Sequence, residues 1–127
     1  MPVPTAIVLV VDDDAAVRSA LKFALEMEGF VIRLYDGPEA VLADRGLPER
    51  GCLVVDFQMP QIDGLELVRR LRARHVTLPA ILISGRAGDQ LRRRAGQLGV
   101  TCVLEKPLSD AALVEGIRDA LKASSAA

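Results

Sequence analysis

Polar side chains stand at the ends of four apolar runs in the sequence. Asp12 and Asp13 follow the first run, Asp56 ends another, Ser84 ends a third, and Lys106 follows a fourth. Carboxylates held close together without a cation repel one another and resist ionising together. Mg²⁺ removes that conflict, because it prefers oxygen ligands at about 2.1 Å and often shares its site with a phosphate. A serine hydroxyl can donate to a phosphoryl oxygen, and a lysine adds a mobile positive charge.

Taken singly, each of these residues has an ordinary explanation. An aspartate at the end of a strand beside a turn is usually part of the turn. The acidic run continues with Asp14, which is well placed to cap a following helix. A loop serine and a surface lysine need no special role. These residues share a chemistry only if the fold brings them together.

The rest of the chain predicts such a fold. Apolar runs predict five strands, at residues 6–11, 30–35, 52–56, 79–84 and 101–104. Helical spacing of apolar residues follows each run, with Gly29 placed to end the first helix and Pro38 to begin the second. Strands that alternate with helices predict one α/β domain, a doubly wound parallel sheet with right-handed crossovers. The first and third runs look the most buried, which favours the flavodoxin-like strand order 2-1-3-4-5.

The predicted order decides which side chains meet. The carboxyl ends of parallel strands lie at one edge of the sheet, where open α/β folds bind their ligands. Arg33 interrupts the second run, which indicates an edge strand. The fourth strand would separate Cys52 from Cys102 by about 9.6 Å, so we expect two reduced thiols and no disulfide.

Composition limits the classes of protein that fit. The chain has 127 residues, enough for a single domain over 1–127 with a core at about 6–122 and a fraying tail at 123–127. A net charge of −1 gives no reason to expect a nucleic acid or an anionic membrane as partner. No apolar run approaches the roughly 20 residues of a membrane span, and no signal segment opens the chain, so we expect a cytoplasmic protein. The basic fourth helix, with Arg92 to Arg94 near Arg86, is either a solvated face or a docking surface for an acidic partner.

In sequence order, these motifs resemble the receiver domain of two-component response regulators, over nearly the whole chain. Each motif alone is weak, but four in order at successive strand ends are specific. The motifs are Val10-Val11-Asp12-Asp13, Val55-Asp56-Phe57-Gln58-Met59-Pro60 with Asp63-Gly64, Ile83-Ser84-Gly85, and Lys106-Pro107.

The resemblance implies a role for each of these positions. Asp56 would be the phosphoacceptor, taking a phosphoryl group from a sensor histidine kinase or a histidine phosphotransfer protein. Asp13, Asp56 and the backbone carbonyl of Gln58 would bind Mg²⁺, with Mn²⁺ as a substitute, and Asp12 would act largely through water.

The remaining motif residues would contact the phosphoryl group. The resemblance gives this task to Ser84 and Lys106, and it implies a cis peptide bond before Pro107. Phosphoryl transfer needs in-line placement and charge neutralisation more than covalent help from the protein, which agrees with these roles.

One position departs from the family pattern. Receivers often carry an aromatic residue three positions before the lysine, and it turns inward when the hydroxyl of the fourth strand is drawn to the phosphoryl group. Here that position is Val103, which has no ring and little rotamer freedom. We therefore expect the switch to use Ser84 and the loop after it, with a small amplitude or with coupling through the fourth helix.

The output stays open at this point. The resemblance implies control of an output domain or a downstream protein, or a phosphorylation-dependent homodimer through the fourth helix, fifth strand and fifth helix. The chain leaves no room for a DNA-binding domain, so it is either a stand-alone receiver or the N-terminal part of a longer regulator. Glu105-Lys106-Pro107 is similar to receivers that head DNA-binding regulators.

Two other functions compete with a phosphorylated, non-enzymatic receiver. A pseudo-receiver would keep the fold as an interaction module and would never be phosphorylated. An Mg²⁺-dependent phosphohydrolase of the haloacid-dehalogenase type would want a second aspartate two residues after the nucleophile, where this chain has Gln58.

Overall fold

The computed structural model describes residues 6–125 as an alternating series of strands and helices. The strands are β1 Ile7–Val11, β2 Val31–Tyr35, β3 Cys52–Asp56, β4 Ala80–Ser84 and β5 Val100–Glu105. The helices are α1 Ala15–Met27, α2 Pro38–Ala43, α3 Gly64–Ala73, α4 Asp89–Gln97 and α5 Asp110–Ser125. All neighbouring strands pair in parallel, in the order β2-β1-β3-β4-β5. The predicted fold class and strand order are confirmed.

Burial on both faces explains why the central strands are continuous apolar runs. Every residue of β3 and β4 is buried. Leu25 and Ile117, from α1 and α5, pack on one face of the sheet, while Leu67 and Leu71 of α3 pack on the other. Each such leucine or isoleucine contributes about 2 kcal/mol by leaving water. The edge strand β2 is half-exposed and carries Arg33, as the sequence predicts.

Side chains near the site fix where two helices begin. The carboxylate of Asp14 accepts hydrogen bonds from the backbone N–H groups of Ala16 and Val17, at 2.9 and 3.3 Å. The carboxylate of Asp63 accepts from the N–H of Glu66 at 2.8 Å. An N-terminal cap of this kind contributes about 1 kcal/mol. These caps hold the starts of α1 and α3 beside the ends of β1 and β3.

Several predicted boundaries differ by a few residues. β2 begins at Val31, β5 extends from Val100 to Glu105, and α2 ends at Ala43. The end of α2 is fixed locally, because the Asp44 carboxylate accepts from the Gly46 N–H at 2.7 Å and from the Tyr35 hydroxyl at 2.6 Å. α5 extends to Ser125, and residues 126 and 127 lie outside the described range, so fraying of the tail at 123–127 stays a prediction.

Arg72 lies in the last turn of α3 and contacts the end of a neighbouring helix. Its guanidinium is half-buried and donates to the carbonyls of Val76 at 2.9 Å and Leu98 at 3.0 Å. Helix C-termini leave carbonyls without intrahelical donors, and a guanidinium satisfies them well. Arg72 therefore ties the ends of α3 and α4 together.

The cysteines behave as expected. Cys52 and Cys102 are free and lie on strands separated by β4. Burial raises the pKa of the Cys52 thiol to about 12, which keeps it protonated. Within residues 6–125, no helix is both long and apolar enough to cross a bilayer.

Candidate functional site

Three aspartates converge where β1 and β3 end. The structure brings carboxylate oxygens of Asp12, Asp13 and Asp56 within 4.8 Å of one another. Asp12 and Asp56 are only 4% and 5% exposed, while Asp13 faces solvent. The convergence follows from the strand order, because β1 and β3 are neighbours at the point where the chain reverses its direction of winding. This donor set of hard oxygens suits a divalent cation.

Burial makes the carboxylates of Asp12 and Asp56 costly to ionise. It raises the pKa of Asp12, although the hydrogen bond that Asp12 accepts from the Asp14 N–H at 2.9 Å acts in the opposite direction. Burial also raises the pKa of Asp56, and the nearby Lys106 only partly offsets it. A bound cation would reverse both effects, because it favours the charged carboxylates.

Lys106 provides the positive charge of the site. Its ammonium lies 3.2 Å from Oδ1 of Asp56, and 45% of the lysine side chain is exposed. No contact from the described residues meets the angular limits of a hydrogen bond to Oδ1, although the ammonium is close enough to lower the pKa of Asp56 against the effect of burial. We therefore treat the pair as a charge contact. A buried carboxylate oxygen without a donor is costly, which makes it a good position for a cation or a reacting group.

Ser84 lies at the end of β4 and is 3% exposed. Its hydroxyl donates to the carbonyl of Arg86 at 2.6 Å, and the Arg86 N–H is 3.2 Å from the same oxygen. In this conformation the hydroxyl belongs to its own loop. A contact with a phosphoryl group on Asp56 requires the hydroxyl to leave the Arg86 carbonyl.

The two remaining predicted positions lie in the loop after β3 and on β5. Gln58 is exposed in the loop between β3 and α3. Val103 is half-buried and packs against Leu65, Leu82 and Ala95. The peptide bond between Lys106 and Pro107 is cis.

Two supporting contacts were not expected from the sequence. Arg18 donates to the backbone carbonyl of Asp12 at 2.7 Å, although its place on the polar side of α1 gave no signal of this role. A Cβ at Gly64 would lie 2.6 Å from the carbonyl oxygen of Asp56. The sequence marked Gly64 as part of a motif, and the structure supplies the reason, because only glycine permits this approach.

Backbone hydrogen bonds extend the sheet past the strand ends at three of its four junctions. They join Asp12 N–H to Tyr35 O at 3.2 Å, Phe57 N–H to Ile83 O at 2.8 Å and Lys106 N–H to Ser84 O at 2.9 Å. Across residues 6–125, no such bond joins the loop after β1 to the loop after β3. The three carboxylates face one another at that fourth junction.

One surface hollow lies beside the three carboxylates, and a larger one lies away from them. A cleft of about 180 Å³ opens beside Asp13 and is also lined by Asp36, Pro60 and Gln61. A larger hollow, of about 760 Å³, lies between the ends of α2 and α3 and is lined by Leu42, Leu47 and other residues of that region. The larger one contains none of the predicted site residues, and the smaller one is lined by Asp13 but not by Asp12 or Asp56.

The chain is similar to known proteins over nearly its full length. Residues 8–118 match the family described as the response regulator receiver domain. The transcriptional regulatory protein FixJ of Azorhizobium caulinodans is 42% identical over 113 residues, which are 88% of this chain and 53% of that protein. The transcriptional regulatory protein CpxR of Escherichia coli is 41% identical over 120 residues, which are 92% of this chain and 50% of that protein.

The crystal structure titled FixJ-N superimposes with a TM-score of 0.86 and 33% sequence identity, covering 94% of this chain and 96% of that one. A receiver domain protein from Methanospirillum hungatei has the same fold at 23% identity and a TM-score of 0.86, with 95% of this chain and 97% of that one covered. The chain spans about half the length of these curated FixJ and CpxR relatives.

Proposed function

Because the chain belongs to the response regulator receiver domain family, we propose that Asp56 is its phosphoacceptor. The observation that carries this assignment is the Oδ1 atom of Asp56, which is buried, accepts no hydrogen bond from the described residues and faces Lys106 at 3.2 Å. The lone pairs of this oxygen are not held by a hydrogen bond, so they could attack a phosphorus atom brought to it beside Lys106. The bond from phosphorus to the donor's imidazole nitrogen breaks as the new phosphorus–oxygen bond forms.

The neighbouring residues divide the task of neutralising charge. Asp12, Asp13, Asp56 and the carbonyl of Gln58 would hold Mg²⁺, or Mn²⁺ in its place. The fit is supported by three carboxylates within 4.8 Å of one another and by the raised pKa values of the two buried ones. When bound, the ion supplies positive charge to the phosphoryl oxygens.

The remaining contacts come from the chain itself. Lys106 would follow the phosphoryl group with its ammonium, and Ser84 would donate its hydroxyl to a phosphoryl oxygen. Gly64 would leave room for the backbone of Asp56, since any larger residue would collide with its carbonyl.

We propose a donor and an output of the kinds found in two-component signalling. The donor is a phosphohistidine on a sensor kinase or a phosphotransfer protein in the cytoplasm. The relatives FixJ and CpxR are transcriptional regulatory proteins, so control of transcription within a longer protein is the proposed output. Phosphorylation would change the surface of α4, β5 and α5, where an output domain, a partner or a second copy could bind. The chain would catalyse only its own phosphorylation and dephosphorylation.

Intact-mass measurement after incubation with acetyl phosphate tests the assignment. We expect one added phosphoryl group in the wild type with Mg²⁺, and none with a chelator or in Asp56→Asn. Asp36→Asn is the matched control, because Asp36 is an exposed carboxylate near the same edge of the sheet.

Three results would contradict the proposal. Equal labelling with and without Mg²⁺ would contradict the proposed role of the metal ion in phosphorylation. Absence of labelling in the wild type would favour a pseudo-receiver. Continuous release of phosphate from an external phosphomonoester would favour a phosphohydrolase.

A further inference from the structure

We propose that Arg92 and Glu105 are positioning residues that hold the loop between β4 and α4 closed and thereby weaken binding of a phosphoryl group at Asp56. This inference rests on the proposed function of Asp56. It concerns a contact, which we call the Ala87 clasp, made by the side chains of Arg92 and Glu105 to the backbone of Ala87. Neither residue belongs to the motifs discussed above as contacts of the metal or the phosphoryl group.

The clasp holds Ala87 from both sides. The Glu105 carboxylate accepts from the Ala87 N–H, with Oε1 at 2.8 Å. The Nε of Arg92 donates to the Ala87 carbonyl at 3.0 Å, and Nη1 of the same guanidinium donates to the Val103 carbonyl at 3.2 Å. Side chains from α4 and β5 therefore fix the middle of a loop that is otherwise bounded by Gly85 and Gly88.

The clasped loop is also the loop that occupies the Ser84 hydroxyl. That hydroxyl donates to the carbonyl of Arg86, the residue directly before Ala87. For Ser84 to donate to a phosphoryl oxygen, its bond to the Arg86 carbonyl must break, and we expect the Arg86–Ala87 segment to move as it does. A Cβ at either Gly85 or Gly88 would meet nothing within 4 Å, so neither glycine is packed closely against a neighbour. The Ala87 clasp is the restraint against this movement.

The same contact links the site to α4 and β5 without an aromatic side chain. Glu105 directly precedes Lys106, whose ammonium touches Asp56. At position 103 the clasp uses the backbone carbonyl, which does not depend on the side chain. Opening of the loop would thus release Arg92 on α4 and Glu105 on β5 together. Valine at position 103 is compatible with this coupling.

Linkage gives the direction of the expected effect. A restraint that stabilises the closed loop lowers the apparent affinity for any ligand that binds the open one. The clasp bonds are exposed to solvent, so each contributes modestly. We expect their loss to tighten binding of beryllofluoride, a phosphoryl mimic, by about three- to tenfold.

Charge-matched pairs of variants separate the effect of losing the hydrogen bonds from the effect of changing the net charge. Arg92→Gln removes both guanidinium bonds. Arg93→Gln makes the same charge change at an exposed neighbour on α4 whose side chain makes no hydrogen bond within the described residues. Glu105→Ala removes the acceptor for Ala87, whereas Glu105→Gln loses the same charge but keeps an oxygen that can accept. Each variant is made in the 127-residue chain.

The readouts are the dissociation constant for beryllofluoride with saturating Mg²⁺, followed by NMR, and the hydrogen exchange rate of the Ala87 amide. We expect Arg92→Gln and Glu105→Ala to bind more tightly and Glu105→Ala to exchange faster at Ala87. Arg93→Gln and Glu105→Gln should match the wild type in both.

Equal dissociation constants in all four variants would overturn the proposal, as would weaker binding in Arg92→Gln. A common shift in Glu105→Ala and Glu105→Gln would overturn it too, because it would assign the effect to charge. Failure of the wild type to bind beryllofluoride in a manner that depends on Asp56 would overturn the proposed function together with this inference. Binding by the wild type with unchanged variants would overturn the clasp alone.

Discussion

Replacing Asp56 with asparagine should make the metal-free protein more stable. The change keeps the shape of the side chain and removes a charge that is 5% exposed and lies within 4.8 Å of two other carboxylates. At an effective dielectric constant of about 20, one like charge at that distance costs about 3.5 kcal/mol. The charge of Asp12 is buried and least screened, and the charge of the exposed Asp13 also raises the pKa of Asp56.

The loss of Lys106 as a partner reduces the gain. The lysine side chain is 45% exposed, and a solvent-screened pair of this kind contributes about 1 kcal/mol at most. We therefore expect Asp56→Asn to raise the free energy of unfolding by about 2 kcal/mol at pH 7 without divalent cations. For a domain of this size the melting temperature should rise by about 5–10 °C.

The pH dependence gives an independent test of the same cause. The pKa values of Asp12 and Asp56 are raised by folding, so the native state binds more protons than the unfolded state above the ordinary carboxyl pKa. Their contribution to stability is then largest at low pH and is lost as pH rises through the raised values. Asp56→Asn should lose part of this slope. Mg²⁺ should stabilise the wild type and have little effect on the variant.

Thermal unfolding followed by circular dichroism, from pH 4 to pH 8 with and without Mg²⁺, measures these effects. Asp36→Asn is the control, since it changes net charge equally at an exposed position near the site. A melting temperature for Asp56→Asn equal to or below that of the wild type at pH 7 in chelator would refute the reasoning.

Three further substitutions test how the scaffold supports the site. Gly64→Ala should lower the free energy of unfolding by about 1–3 kcal/mol, because its Cβ would lie 2.6 Å from the Asp56 carbonyl; unchanged denaturant unfolding would contradict this. His75→Gly should raise the free energy of unfolding by about 0.5–1 kcal/mol, since His75 follows α3 with a φ of 66°; a less stable variant in the same assay would show that the histidine side chain compensates. Arg72→Met should lower the free energy of unfolding by about 1–2 kcal/mol, because the bonds of Arg72 to the carbonyls of Val76 and Leu98 are lost. Arg94→Met, at an exposed position, should leave the free energy of unfolding unchanged. Equal effects of the two substitutions would show that Arg72 does not join the ends of α3 and α4.

The sequence was sufficient to predict the sheet and the convergence of the carboxylates. Runs such as 52–56 are apolar throughout because both faces of the strand are buried, and this burial favours a central position. Once β1 and β3 are neighbours, Asp12 and Asp56 must meet. These predictions rest on patterns several residues long, which local detail does not change.

Contacts of single polar side chains could not be predicted in the same way. Arg92, Arg93 and Arg94 are consecutive and chemically alike, yet Arg92 is the one that reaches carbonyls on Ala87 and Val103. Successive helical residues point about 100° apart. The distinction therefore depends on where β5 lies beside α4, which only the assembled structure provides. The hydroxyl of Ser84 is a similar case, because its bond to Arg86 depends on the path of one loop.

The junction between β1 and β3 differs from the other three junctions of the sheet. Beyond the strand ends, backbone hydrogen bonds join the strands at those three junctions. Within the described residues, the β1–β3 junction instead carries three carboxylates that repel one another. A divalent ion bound there would connect two parts of the sheet, β2-β1 on one side and β3-β4-β5 on the other. A pulling force applied across the sheet should then separate these two parts at the β1–β3 junction first. A larger force should be needed when the ion is bound.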